Sequence, residues 1–214
     1  KIPETASDKK KRHTRRNVWG IYIIIYIAGG HLPLTMNGEE QTISKAQHGD
    51  RCAMHEIYNA HVAYLFAVCT RYVADNDSAK DVMQEAFIRI FNNITQFRYR
   101  GEGTLRAWMT RIVVNEALKH IRRNSIFYDT DIEKIDMPDE EETDIHGVPP
   151  DDIHDIIRQL PDGYRTVLNL YVFENKSHKE IATLSNIKAT SSASQLFHAK
   201  AMMAKMIKEY KRTQ

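Results

Sequence analysis

Cysteine is scarce in this chain: Cys52 and Cys69 are the only two in 214 residues. They lie far apart and match no metal or redox spacing, and Cys69 falls in an apolar helical pattern. That is the pattern of a reduced thiol in a cytoplasmic protein. Long apolar runs are also missing. The most apolar stretch, VWGIYIIIYIA at 18–28, has eleven residues, against about 20 needed to cross a bilayer. There is no Walker loop, no G-x-S-x-G and no H-E-x-x-H. GEGTLR at 101–106 lacks the third glycine of a dinucleotide loop, and no strand pattern precedes it. The ten histidines are scattered, and His178-Lys179-Glu180 has no downstream cysteine pair to make a zinc deaminase. These absences argue against an enzyme and predict no metal and no cofactor.

What is present is globular in proportion. A mass of 24.8 kDa with 42% hydrophobic and 27% charged residues fits one large soluble domain or two small ones. The net charge of +2 is unevenly spread. Residues 1–35 carry +5, residues 36–125 carry +2 and residues 151–214 carry +3. Residues 126–150 have one basic residue against nine acidic ones. Two mildly basic blocks flanking an acidic connector suggest polyanion contact at both ends of the chain.

Residues 1–35 pair KKKRHTRR at 9–16 with the short apolar run and GGHLPL. The segment resembles the n- and h-regions of a signal peptide, and an edge strand or an unstructured arm fits as well. A third expectation is that translation begins at Met36, the N-terminal extension at 1–35 lying upstream of the true start, and no function is assigned to it. From Met36 onward the periodicity is helical. Ile57, Tyr64, Leu65, Val68 and Tyr72 share a stripe across a short helix and a longer one. Ser78 is the expected cap of the next helix, in which Val82, Ala86, Ile90 and Ile94 recur every four residues beside Phe87 and Phe91. Asp81, Gln84, Glu85 and Arg89 lie around the other side, either as a wet face or as a dock for a protein partner.

Gly101 and Gly103 then interrupt the pattern, with Thr104 as the expected cap of a second helix. At 100° per residue, Trp108, Arg111, Asn115, Lys119 and Arg122 fall within roughly a quarter of that helix. Leu105, Met109, Ile112, Val113 and Ala117 form a neighbouring buried sector. A ring for stacking, an amide for a base edge and cations for phosphates suit nucleic acid. A solvated face with one half-buried tryptophan fits the same pattern.

Residues 126–150 read as an acidic flexible linker ending in Pro149-Pro150. Residues 151–214 form a second helical unit. Ser177-His178-Lys179-Glu180 is a capping box, Asn186 is suited to a left-handed turn, and a long helix follows. Short helix, tight turn and longer helix make a helix-turn-helix pattern, although helical hairpins without DNA share it.

Taken together, AKDVMQEAFIRIF, FRYRGEGTLRAWMTRIVVNEALKHIRR, LPDGYRTVLNLYVFENKSHKEIA and SQLFHAK, in this order, resemble a bacterial RNA polymerase sigma factor of the extracytoplasmic-function (ECF) group. The resemblance covers roughly 40–124 and 151–210. It implies an all-α fold of two small helical domains, region 2-like at 36–125 and region 4-like at 151–214, joined by the acidic linker. It implies core RNA polymerase and promoter DNA as partners, control by an anti-sigma protein, and a place in the cytoplasm. Asp81, Gln84 and Glu85 would dock on the clamp helices of the polymerase. The loop at 98–104 with Trp108, Arg111, Asn115 and Lys119 would take the separated non-template strand of the −10 element. Asn115 would touch a base, and Arg111, Lys119, Arg122 and Arg123 would position phosphates. Ser194, Gln195, Phe197, His198 and Lys200 would read the −35 element.

The chain departs from that family at several points. Ala193 stands where a cation is frequent, His198 and Lys200 stand where arginine is usual, and Asn186 replaces a common turn glycine. Serines at 191, 192 and 194 make the start of the reading helix small and polar. The alternative is a conventional helix-turn-helix regulator that binds duplex DNA without polymerase, and a tether to the membrane through 18–34 is a third reading.

Overall fold

The computed structural model describes residues 36–124 and 147–213. The expectations for the N-terminal extension at 1–35, and for most of the acidic linker at 126–150, lie outside the described residues. Every regular element among those described is a helix, and they fall into two compact units.

The first unit contains α1 (Met36–Gln47), α2 (Arg51–Thr70), α3 (Asn76–Asn93), a 3-10 turn (Ile94–Gln96) and α4 (Thr104–Asn124). Helix α2 is central and packs on α1, α3 and α4, while α3 and α4 pack on each other. Its core follows the stripe expected from the sequence except at Tyr64, which is half-buried: Ile57, Leu65, Val68 and Tyr72 meet Val82, Ala86, Ile90 and Ile94, with Leu105, Met109 and Val113, all buried. Helix α3 begins earlier than expected. Its cap is Asp75 and not Ser78, because the Asp75 carboxylate accepts the Ser78 backbone N–H at 2.8 Å. That bond holds the Asp75 carboxyl below the usual carboxylate range.

His61 of α2 is buried, and neither ring nitrogen has a hydrogen-bond partner among the described residues. Burial, with help from the nearby Arg106 charge, pushes its pKa down to about 4. Arg106 itself lies 5.1 Å over the Tyr64 ring. Cys69 is buried, donates its thiol to the Ala79 carbonyl at 3.6 Å, and is pushed by burial up to about 12, whereas Cys52 is exposed.

The second unit contains α5 (Pro150–Arg158), α6 (Asp162–Val172), α7 (His178–Ser185) and α8 (Ala189–Thr213). The long α8 packs against the other three, burying Leu196, Ala199, Met203 and Ile207 among Ile157, Leu170 and Ile181. The capping box forms as expected: the Ser177 hydroxyl accepts the Glu180 N–H, and Glu180 accepts the Ser177 N–H at 2.8 Å. Asn186 adopts the left-handed conformation, φ 54° and ψ 45°, which ends α7 and turns the chain into α8. Sequence periodicity gave no sign of Arg165, a buried guanidinium. It donates to the Arg158 carbonyl at 2.9 Å and the Leu160 carbonyl at 2.7 Å, and pairs with Asp162. In this way it satisfies orphan carbonyls at the end of α5.

Candidate nucleic-acid interface

The chain enters α4 through a turn that two side chains and two glycines hold. Gln47 of α1 donates its amide to the Ile94 carbonyl at 3.0 Å and the Phe97 carbonyl at 2.8 Å. Gly101 and Gly103 take φ of +115° and +78°, open to glycine and strained for other residues. Thr104 is the first residue of α4 and not its forward cap: its hydroxyl points back, donating to the Gly101 carbonyl at 2.6 Å and accepting the Arg100 N–H. The held turn presents Phe97 to Trp108, with ring centroids 5.1 Å apart.

Beside that aromatic pair runs a groove of about 360 Å³ between the end of α3 and the face of α4. Trp108 and Asn115 line it from α4, as the helical pattern implied, together with Glu116 and with Ile112, which is half-buried at the groove and not in the buried sector expected for it. Arg89, Asn93 and Gln96 line it from the other side. The sequence pattern had grouped Arg89 with the acidic side of α3. The structure turns it toward α4 instead, because its Nε meets Glu116 Oε1 at 2.8 Å. Three carboxamides, an indole and a guanidinium therefore surround one concavity, with donors and acceptors suited to the edge of an unpaired base.

The other expected DNA residues are divided. Lys119 and Arg123 line a smaller cleft of about 170 Å³ together with Asp81 and Glu85. Arg111 and Arg122 are exposed and line neither cleft, and the Arg122 Nε donates to the Leu118 carbonyl at 3.3 Å. Asp81, Gln84 and Glu85 of α3 are all exposed. Ile88, 55% exposed, continues the same strip. Its signal in the sequence was an apolar residue four after Gln84, off the buried stripe.

In the second unit, Ser194, Gln195 and Phe197 of α8 are half-buried and Lys200 is exposed. The Gln195 amide lies against Gly163 of α6, where an added Cβ would meet Oε1 at 3.4 Å. Lys200 sits 5.9 Å over the Tyr171 ring, and Tyr171 stacks on His178 at 5.1 Å. His178 Nδ1 lies 3.0 Å from the Ser192 hydroxyl oxygen, so the capped end of α7 is fastened to α8. His198 does not share the accessible strip. It is 7% exposed, with its ring stacked on Tyr164 at 5.8 Å and edge-on to Phe197.

Comparison with known proteins places both units. Residues 57–126 match the sigma-70 region 2 family and residues 151–203 match the sigma-70 region 4 family. The RNA polymerase sigma-H factor of Pseudomonas aeruginosa is 28% identical over 187 residues, covering 81% of this chain and 96% of that protein. The ECF RNA polymerase sigma-E factor of Haemophilus influenzae is 27% identical, over 79% of this chain and 95% of that one. The ECF sigma factor SigW of Bacillus subtilis is 26% identical, over 79% and 97%. A solved structure of CnrH in complex with the cytosolic domain of CnrY matches with a TM-score of 0.43 at 17% identity, covering 80% of this chain and 97% of that one. With both regions matched in order and relatives aligned along nearly their whole length, the chain belongs to the sigma-70 family as an ECF-type RNA polymerase sigma factor, a non-enzymatic factor of transcription initiation.

Proposed function

We propose that the first unit does its sigma work along the α3–α4 pair, where the docking acids of α3 and the phosphate-serving Lys119 and Arg123 of α4 meet at the smaller cleft. The exposed strip Asp81, Gln84, Glu85 and Ile88 docks on core polymerase: its acids and amide answer a basic or amide-bearing helix, and Ile88 supplies apolar contact. The groove lined by Trp108 and Asn115 takes the separated non-template strand at the −10 element. Asn115 contacts an unstacked base, and Arg111, Lys119, Arg122 and Arg123 serve phosphates. The observation that carries this reading is the groove itself, which gathers Trp108 and Asn115 with two further carboxamides in one concavity.

In the second unit, α8 enters the major groove at the −35 element through Ser194, Gln195, Phe197 and Lys200. His198 would act by setting the helix face through its stack on Tyr164. An anti-sigma protein is the further proposed partner, resting on family membership, and the proposed place of action is the cytoplasm with polymerase. Among the described residues no helix is long and apolar enough to cross a membrane.

The test is pull-down of the full chain with purified core polymerase, followed by run-off transcription from genomic fragments. Asp81→Lys is expected to abolish core binding. Asn115→Ala is expected to keep core binding and impair promoter opening. Undiminished transcription by Asn115→Ala on every responding promoter would remove the base-contact assignment. Core binding by Asp81→Lys at wild-type strength would remove the docking assignment.

A further inference from the structure

The groove proposed for single-stranded DNA has a carboxylate in its wall, where an unmasked negative charge repels phosphate. Glu116 is only 8% exposed, and each of its oxygens holds a different cation. Oε1 lies 2.8 Å from Arg89 Nε and Oε2 lies 3.5 Å from Lys119 Nζ. One cation comes from α3, the other from α4.

Stability is a poor reason for this arrangement. The Arg89 partner is half-exposed, so the pair contributes little to folding, while placing a carboxylate in a nearly buried position has a desolvation cost. What the carboxylate does supply is geometry. Arg89, whose side chain would otherwise sweep through solvent, is fixed in the groove wall with Nε occupied and its terminal amino groups left for an anion.

We propose that Glu116 is a positioning residue for strand capture, and that Arg89 is a further phosphate-contacting cation of the groove, held ready by Glu116. This rests on the reading that the groove takes the non-template strand. A guanidinium already ordered loses less side-chain freedom when phosphate arrives than a mobile one does. Lys119, tied to the other oxygen, is kept beside the groove by the same carboxylate.

The sign of one substitution separates positioning from mere charge. Glu116→Ala removes a negative charge next to a polyanion site, so a purely electrostatic role predicts tighter DNA binding, most of all at low salt. A positioning role predicts weaker binding in spite of the improved charge. The probe is a fluorescent single-stranded non-template oligonucleotide spanning the −10 element of a promoter mapped by run-off transcription. It is titrated by anisotropy into holoenzyme at saturating core polymerase.

Glu116→Ala is expected to weaken binding roughly three- to tenfold. Arg89→Ala is expected to weaken it similarly and to lower the slope of log K against log salt by about 0.7, the share of one phosphate contact on a single strand. The double variant is expected to be no weaker than Arg89→Ala alone, since the two act as one unit. Glu116→Gln keeps an acceptor for the Arg89 Nε and is expected to fall between wild type and Glu116→Ala. Unchanged or tighter binding by Glu116→Ala, or losses that add in the double variant, overturns the positioning role. In that case a normal loss for Asn115→Ala leaves the groove reading standing, whereas no loss for Asn115→Ala overturns the groove reading as well.

Discussion

Replacing His61 by methionine should flatten the acid sensitivity of the first unit. In the folded chain the imidazole is buried without a hydrogen-bond partner, and its pKa is lowered from 6.5 to about 4, first by burial and then by the Arg106 charge. The unfolded chain therefore binds the proton more readily than the folded one across that interval. A depressed folded pKa means that the stability is fully present above the unfolded value. It is lost progressively as pH falls from 6.5 toward 4. The whole interval amounts to about 3 kcal/mol, and between pH 7.5 and pH 5.5 the share is about 1 kcal/mol.

The measurement is urea unfolding at those two pH values, followed by Trp108 fluorescence with Trp19→Phe in both proteins so that one indole reports. Wild type should lose about 1 kcal/mol more than His61→Met between pH 7.5 and pH 5.5. Carboxylates that titrate in the same range are shared by the two proteins and cancel in the difference. Methionine fills an irregular apolar site without a polar atom to satisfy, so the variant should also be no less stable at neutral pH. Identical pH dependence in the two proteins would refute the buried neutral imidazole.

Two further outcomes follow from buried groups. Native protein should show one fast thiol toward an aromatic disulfide reagent, from exposed Cys52, with Cys69 reacting only on unfolding; Cys52→Ser should abolish the fast phase. Arg165→Met should destabilise the second unit by about 2–4 kcal/mol in chemical denaturation, because the Arg158 and Leu160 carbonyls lose their donor.

What was legible in the sequence is what depends on one helix at a time. The four-residue recurrence of Val82, Ala86 and Ile90 marks a buried face whatever packs against it, and the Ser177–Glu180 box closes within four residues. Trp108 and Asn115 share a groove because one helix face already aligned them. The residues whose surroundings periodicity does not reveal depend on how two helices meet. Arg89 looks like one more charge on a wet face until α4 brings Glu116 within 2.8 Å. His198 sits on the strip expected to read DNA until α6 lays Tyr164 against its ring. Asp75 was hidden for another reason: Ser78 also offers a capping oxygen, and only the backbone path decides that the carboxylate takes the N–H.

Gln47 makes two hydrogen bonds from outside the span that the region 2 family matches, which begins at residue 57. The turn carrying Phe97 toward Trp108 thus borrows its rigidity from a helix that similarity alone would discard. A fragment cut at residue 57 would keep every residue proposed to touch DNA or polymerase, yet leave the entrance of the groove unfastened. Dissection of this protein should follow its hydrogen bonds, with α1 counted as part of the unit that shapes the groove.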